Sequence, residues 1–360
     1  MENKDIVEES MNKVSHIIEY KRRKKRSWAD LPQELLEQIM TRLSFTDQIR
    51  FRATCKELKS VARTLPMDQL PWLVSYDNDE DNGGSYTLCP PSNIYTYTFR
   101  IEPEDPAYMI FNPIKVCASN FGWLLLYEFP HKLLFFFNPF KNEVIELPPL
   151  EVQHCEVASF SSPPTQPDCI IFVLDNSCSD TKITICPLKD KKWTMYEFDT
   201  HFHPVENVVY FKRSFYCAEI NGALGVFNLE ERKWKTLPES KAIPKGAYKQ
   251  KTYLVEGTDG ELLLVMEACL FSWIRVYKLD FAKMRWVIVE KLEKRTLFLI
   301  DSTSIATYTT VRDMVDRYHY ISDGLMMFYS NKAGRRYPCT KKYYGVDAEN
   351  FGNMWIQPPY

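Results

Sequence analysis

The sequence predicts a mainly β protein that opens with a small α-helical module. Three observations carry this expectation. Residues 27–65 place apolar side chains at helical spacing, whereas from about Tyr86 short runs rich in Val, Ile, Phe, Tyr and Leu alternate with Pro, Asn, Asp and Gly. The chain's 22 prolines, most of them in that second part, would break most long helices there. A hairpin-like motif also recurs through it, with Trp opening three of its closing strands. These textures divide the chain into a basic tail (1–26), a helical module (27–67), a linker (68–89) and a β domain (90–360).

In the tail, Lys21, Arg22, Arg23, Lys24, Lys25 and Arg26 form an uninterrupted basic run. Such a run reads either as a nuclear localisation signal or as a solvated flank of the first helix. It is too short, on a chain of net charge −2, to argue for nucleic-acid binding.

Within the module, Leu31, Leu35, Ile39 and Leu43 recur every four residues, with Leu36 and Met40 alongside. That is one apolar stripe of an amphipathic helix. Pro32 suits the first helical position and Glu34 the positive N-terminal end. Ser44 or Thr46 can cap a second helix, with Asp47 in its first turn and Ile49, Phe51 and Ala53 along it. A third would carry Leu58, Val61 and Ala62. Three short helices bury little surface alone, so the leftover stripe is where a partner sits. The plainer alternative is a helical cap on the β domain.

Asp77–Gly84 is acidic, ends in Gly and has no apolar side chain, so it reads as an exposed linker and the first place a protease would cut. Strands are expected at 94–100, 122–127, 133–137, 170–174, 183–186, 208–211, 261–266 and 274–279. The repeat runs through FFFNPFKNEVIEL from Phe135, ITICPLKDKKWTM from Ile183, GVFNLEERKWKTL from Gly225 and IRVYKLDFAKMRWV from Ile274. Each is an apolar strand, an Asn, Asp or Pro beside a charged turn, and a Trp or aliphatic residue opening the next strand. Trp193, Trp234 and Trp286 are spaced by 41 and 52 residues, the rhythm of a β-propeller blade. Roughly six blades fit the β domain at that period. The Trp-Asp and Gly-Gly signatures of common propellers are absent, and so is a leucine-rich period. A β-sandwich is the alternative. A ring is best locked by joining its chain ends, so a strand over Ile94–Ile101 is expected to pair with one near Asn353–Gln357.

No catalytic, metal or cofactor site emerges. The ten cysteines form no CxxC pair or other metal-ligand spacing, which fits a reducing compartment, nucleus or cytoplasm. Asp199, His201 and His203 make a D-x-H-x-H row, but no further ligand lies nearby in sequence, so a polar loop is the better reading. His154 and Cys155 are adjacent and would point to opposite faces of a strand. Phosphate loops, HExxH and GxSxG are missing. Tyr95, Tyr97, Phe99, Tyr343 and Tyr344 either line a pocket or pack between blades. The apolar runs are too short to span a bilayer, and the N-terminus has no apolar stretch of signal-peptide type.

Two resemblances add to this reading. Trp28, Leu31, Pro32, Leu35, Leu36, Ile39, Leu43, Ser44, Asp47, Arg52, Cys55 and Lys56 resemble the F-box pattern. Thr54 stands where Val is common and Leu58 where Trp is common. The resemblance implies three helices that bind the Skp-type adaptor of an SCF cullin–RING ubiquitin ligase. Leu31, Pro32, Leu35, Ile39, Leu43, Ile49, Cys55 and Leu58 would be the adaptor-binding residues. The second resemblance lies in Ser119, Asn120 and Gly122 to Leu125, in Phe137 to Phe140, and in Glu146 to Pro149. It continues through 282–304 and through Gly345, Val346, Asp347 and Trp355. These residues look like the KIB-type β-propeller that accompanies F-boxes in plant proteins. Glu293, Lys294 and Arg295 depart from that family's acidic or polar Gly turn. Together the resemblances imply a three-helix F-box followed by a roughly six-bladed propeller, working as a non-catalytic substrate receptor for a target protein, without cofactors. The alternatives are an F-box scaffold without ligase activity and a propeller that binds a small molecule.

Overall fold

The computed structural model describes residues 31–40, 51, 54, 70–79, 83–89, 97–99, 114–128, 131–150, 155, 157–175, 180–200, 202, 208–219, 221–237, 251–267, 273–309, 315–322, 325–330, 335–338 and 354–358. The chain divides into two units, Met1–Met67 and Asp68–Tyr360.

In the first unit the described helix is α1 (Gln33–Met40). Pro32 starts it: its carbonyl accepts from the Leu35 and Leu36 amides at 3.1 and 3.2 Å. Gln33 donates to Glu37 one turn on, at 2.8 Å. Leu36 and Met40 are buried. Of the second helix expected from the sequence only Phe51 and Thr54 are described, both helical, and the third lies outside the described residues.

The second unit is a six-bladed β-propeller. Blade 1 holds β1 (Trp72–Asp79), β2 (Gly83–Cys89) and β3 (Tyr97–Phe99). Blade 2 holds β4 (Ile114–Asn120), β5 (Trp123–Glu128), β6 (Leu133–Asn138) and β7 (Glu143–Glu146). Blade 3 holds β8 (Val157–Phe160), β9 (Ile170–Asp175), β10 (Thr181–Pro187) and β11 (Thr194–Phe198). Blade 4 holds β12 (Val208–Phe211), β13 (Ser214–Ala218), β14 (Leu224–Asn228) and β15 (Lys233–Leu237). Blade 5 holds β16 (Lys251–Glu256), β17 (Leu262–Glu267), β18 (Ile274–Asp280) and β19 (Arg285–Val289). Blade 6 holds β20 (Arg295–Leu299), β21 (Ser304–Tyr308), β22 (Arg317–Ser322), β23 (Leu325–Ser330) and β24 (Arg335–Pro338). The last strand, β25 (Met354–Ile356), returns to blade 1.

Strand composition follows position in the blade. The second strands β5, β13 and β17 are buried along their whole length, so they read as unbroken apolar runs. The outer strands β7, β11, β15 and β19 carry exposed or half-buried positions along most of their length, because one face meets water. Innermost strands β25, β4, β8, β12 and β16 follow one another round the axis, and β21 follows β16. Aromatic rings fill the seams between blades. Phe136 meets Phe160 at 5.0 Å, Phe172 stacks on Phe215 at 4.6 Å, and Phe211 stacks on Phe281 at 5.6 Å.

The repeat seen in the sequence is the hairpin between third and fourth strands. Asn138 Oδ1 accepts from the Phe140 and Lys141 amides, at 3.0 and 3.1 Å. Asn228 Oδ1 does the same for Glu230 and Glu231, at 2.9 and 2.8 Å. Asp280 Oδ1 does so for Ala282 and Lys283, at 3.1 and 3.2 Å. Four residues after each acceptor the backbone turns left-handed, at Asn142, Arg232 and Met284, with φ of 53°, 53° and 44°. In blade 3 Pro187 takes the first position and Lys191 the left-handed one, with φ 47°. In blades 2, 4 and 5 an Asx turn fixes the entry to the hairpin and offsets the strain of a side chain at positive φ. That is why this β domain manages with 12 glycines in the whole chain.

The Trp residues of these hairpins tie blades together. Trp193 Nε1 donates to the Pro148 carbonyl at the end of blade 2, at 2.9 Å. Trp286 Nε1 donates to the Gly222 carbonyl of blade 4, also at 2.9 Å. Trp234 instead lies over Gly225, whose added Cβ would stand 2.2 Å from its ring. Only glycine leaves room there.

Two expectations need correction. The ring closes through the C-terminal strand, but its partner is β1: Trp72 pairs with Ile356, Leu73 with Trp355 and Val74 with Met354. The strand within 94–101 is β3, at the opposite edge of the same sheet. The stretch 68–89 is accordingly not a linker, because β1 and β2 pair from Leu73–Cys89 to Asp79–Gly83. Asp77, Asn78 and Asp79 pair with Ser85, Gly84 and Gly83 at the far end of a hairpin whose base is buried at Trp72, Leu73, Val74, Leu88 and Cys89. Tip composition hid the two apolar arms.

Blade 6 departs from the other five. Its strand order is β21-β20-β22-β23-β24, and β20 pairs with β22 in parallel. The innermost strand thus follows the second strand in the chain, and the chain then crosses over β20 to reach β22. The turn at 292–295, left in doubt by the sequence, is tight: Glu293 has φ 58° and the Arg295 amide donates to the Leu292 carbonyl at 3.0 Å. Arg295 turns inward. Its guanidinium pairs with Glu261 of blade 5, which also holds Lys278 Nζ at 2.7 Å. Arg295 and Glu261 are buried, so this network rivets the irregular blade to its neighbour.

Candidate interaction surfaces

On α1 the residues singled out from sequence lie at the surface or its margin. Leu35 is 45% exposed, Pro32 is exposed, and Leu31 and Ile39 are half-buried. The neighbouring Leu36 and Met40, by contrast, are 2% and 1% exposed. The helix therefore divides its apolar residues between an inner pair and an outer set. Leu43, Ile49, Cys55 and Leu58 lie outside the described residues, as does the basic run Lys21 to Arg26.

The propeller presents two unlike faces. On one, first and second strands are joined by turns such as Phe121-Gly122 and Lys212-Arg213, and third and fourth strands by the Asx hairpins. On the other, second strands end and third strands begin. Here every blade carries an acidic residue at the end of its second strand: Asp77 and Asp79 in β1, Glu128, Asp175, Glu219, Glu267 and Asp301. Asp301 qualifies because β20 takes the second position in blade 6.

Several of these carboxylates are held by their own blades. Glu128 Oε1 lies 2.8 Å from His131 Nδ1, in the turn that follows. Asn221 donates to Glu219 at 3.0 Å, and Tyr253 Oη donates to Glu267 at 3.2 Å. Lys251 Nζ sits 3.0 Å from Asp301, across the seam between blades 5 and 6. Glu128, Asp175 and Glu267 are buried, at 6%, 6% and 3% exposure. Glu128 and Glu219 thus anchor the turns that leave their strands. The signal for these acids in the sequence is Tyr-Glu, Leu-Asp, Ala-Glu, Met-Glu and Ile-Asp closing apolar runs.

The D-x-H-x-H row is described only at Asp199; His201 and His203 lie outside the described residues. Among the described residues no three His, Cys, Asp or Glu side chains are placed to hold a metal ion. His154 lies outside the described residues, while Cys155 is described and buried. Its partner is Cys117 of blade 2, Sγ to Sγ 4.0 Å. Tyr95, Tyr343 and Tyr344 lie outside the described residues, and of Tyr97 and Phe99 only the backbone in β3 is described.

The described architecture is a helix in the first unit and a six-bladed propeller in the second. The F-box domain model matches residues 28–69, and the KIB1-4 β-propeller model matches residues 88–317. The chain belongs to the F-box proteins with a KIB1-4 β-propeller. It is similar to the Arabidopsis thaliana F-box protein At4g00893, 30% identical over 76% of this chain and 71% of that one. It is 26% identical to the Arabidopsis F-box/kelch-repeat protein At1g57790, over 93% of this chain and 96% of that one. To the Arabidopsis F-box protein At3g56470 it is 26% identical over 93% of this chain and 90% of that one. The pairing of an F-box with a β-propeller is typical of non-catalytic substrate receptors of SCF ligases.

Proposed function

We propose that this chain is the substrate-recognition subunit of an SCF-type cullin–RING ubiquitin ligase. The F-box takes the Skp-type adaptor, and the propeller takes a target protein for ubiquitination and degradation. The observation that carries the reading is the pairing of a matched F-box with a closed six-bladed propeller. A tether and a rigid platform raise the effective concentration of target lysines near the charged ubiquitin carrier. The catalytic gain is geometric, and no side chain of this chain needs to react.

Leu31, Pro32, Leu35, Ile39, Leu43, Ile49, Cys55 and Leu58 make the adaptor contact in this reading. Exposed Leu35 at the centre of α1 supports that assignment. The basic run 21–26 directs the chain to the nucleus, alongside a cytoplasmic pool. Replacing Leu31 and Pro32 together by Ala tests the surface. Adaptor co-purification is lost while propeller melting stays unchanged. Undiminished adaptor binding by the double variant would refute the assignment.

A further inference from the structure

Blades 2 and 3 meet through a pair of thiols that the proposed function does not use. Cys117 is the extra residue of a β-bulge in β4. The ladder to β5 pairs Val116 with Leu126 and Ala118 with Leu125, and leaves Cys117 unopposed. A bulge re-aims the inserted side chain. Here it brings Cys117 Sγ to 4.0 Å from Sγ of Cys155, just before β8, the innermost strand of the next blade. Both are free thiols, buried in one apolar cluster with Trp123, Tyr127 and Phe160. Lys115 Nζ donates to the Cys155 carbonyl at 3.3 Å, so a cation stands beside the pair.

A disulfide needs its sulfurs at about 2.05 Å, and rotation of two facing side chains closes the remaining gap. We propose that Cys117 and Cys155 form a reversible disulfide that staples blade 2 to blade 3 when the protein meets a hydroperoxide. The Cys117 thiolate attacks the O–O bond of hydrogen peroxide and becomes a sulfenic acid, and the leaving hydroxide is protonated to water. The Cys155 sulfur then attacks the sulfenic sulfur, the S–S bond forms, and the hydroxyl leaves as a second water. Two thiols give up two electrons and two protons, and the peroxide receives them. A dithiol reductant reverses the step by exchange.

The order of attack follows from the surroundings. The hydrogen bond from Cys155, aided by Lys115, holds the Cys117 thiol below its ordinary value against the effect of burial. The same contact, with burial, raises Cys155, which suits a resolving thiol. Elsewhere burial pushes Cys89 up to about 12 and Cys169 and Cys186 up to about 11, and it also raises Cys217. Reactivity tracks thiolate character, so among the described cysteines Cys117 is the favoured first target, with Cys155 in place to trap its sulfenic acid.

The test treats the folded full chain with hydrogen peroxide and maps its peptides without reduction. The expected result is one cross-linked pair, Cys117 to Cys155, with two free thiols lost together. Melting temperature rises, and dithiothreitol reverses both changes. The variants Cys117→Ala and Cys155→Ala each abolish the cross-link and the rise. Sulfinic acid at either position without a cross-link would overturn the proposal, as would a link to another cysteine or an unchanged thiol count. The wild-type peptide map decides even if a variant fails to fold.

Discussion

Removing β25 is the sharpest perturbation of the fold. Met354, Trp355 and Ile356 are each completely buried, and they supply the innermost strand of blade 1. Burying a side chain of this size stabilises by about 1.5–3 kcal/mol, so the three together contribute roughly 4.5–9 kcal/mol. That figure is an upper bound, because a real unfolded chain already buries some of this surface. Other losses add to it. The Trp355 amide no longer meets Thr303 Oγ1 at 3.1 Å, and Phe298 loses the Trp355 ring at 4.8 Å. Strand β1 becomes an open edge. Domains are stable by about 5–15 kcal/mol in total, so a chain ending at Asn353 loses a large fraction of it. Thermal unfolding followed by circular dichroism reads the effect. The truncated protein should melt far lower across the whole propeller, and Trp355→Ala alone should lose about 3–5 kcal/mol. A cooperative melt at the wild-type temperature would show that the ring does not depend on its closing strand.

Three further outcomes follow from particular contacts. Gly225→Ala places a Cβ 2.2 Å from the Trp234 ring, so chemical denaturation should show a loss of about 1–3 kcal/mol. Arg295→Met leaves Glu261 buried with Lys278 as its remaining partner. It should lose about 3 kcal/mol, and adding Glu261→Gln should recover much of that. Burial, with Arg317 nearby, pushes His319 down to about 3. Its unfolded value is about 6.5. Between these values the unfolded chain binds a proton that the folded chain refuses. Stability is therefore unaffected above pH ~6.5 and falls as pH drops toward ~3. His319→Leu should flatten that acid limb in a pH series of denaturant midpoints.

Local chemistry made much of this fold readable. The Asx hairpins FNPFKN, FNLEER and KLDFAKM carry their own turn signal, and Trp193, Trp234 and Trp286 mark the strand after it. Apolar runs such as Leu262–Glu267 announced strands buried on both faces. What stayed hidden was non-local. Nothing near β20 says that β21 will take the innermost place and β22 will pair in parallel. The acidic tip at 77–82 resembles a linker until β25 arrives from the far end of the chain to cover its base. Arg295 looks like part of a charged turn, and only the approach of Glu261 from blade 5 makes it a buried ion pair. On α1 the four-residue period found the apolar stripe, but the division between buried Leu36 and exposed Leu35 depends on packing that periodicity does not fix.

Reconstitution tests the central claim most directly. The purified full chain is mixed with a Skp-type adaptor and a cullin, and the mass of the eluted complex is measured by light scattering after size exclusion. One copy of each protein should travel together, and the chain carrying Leu31→Ala and Pro32→Ala should elute apart from the other two with its propeller intact. Separate elution of the wild-type chain, with adaptor and cullin still bound to each other, would contradict the account.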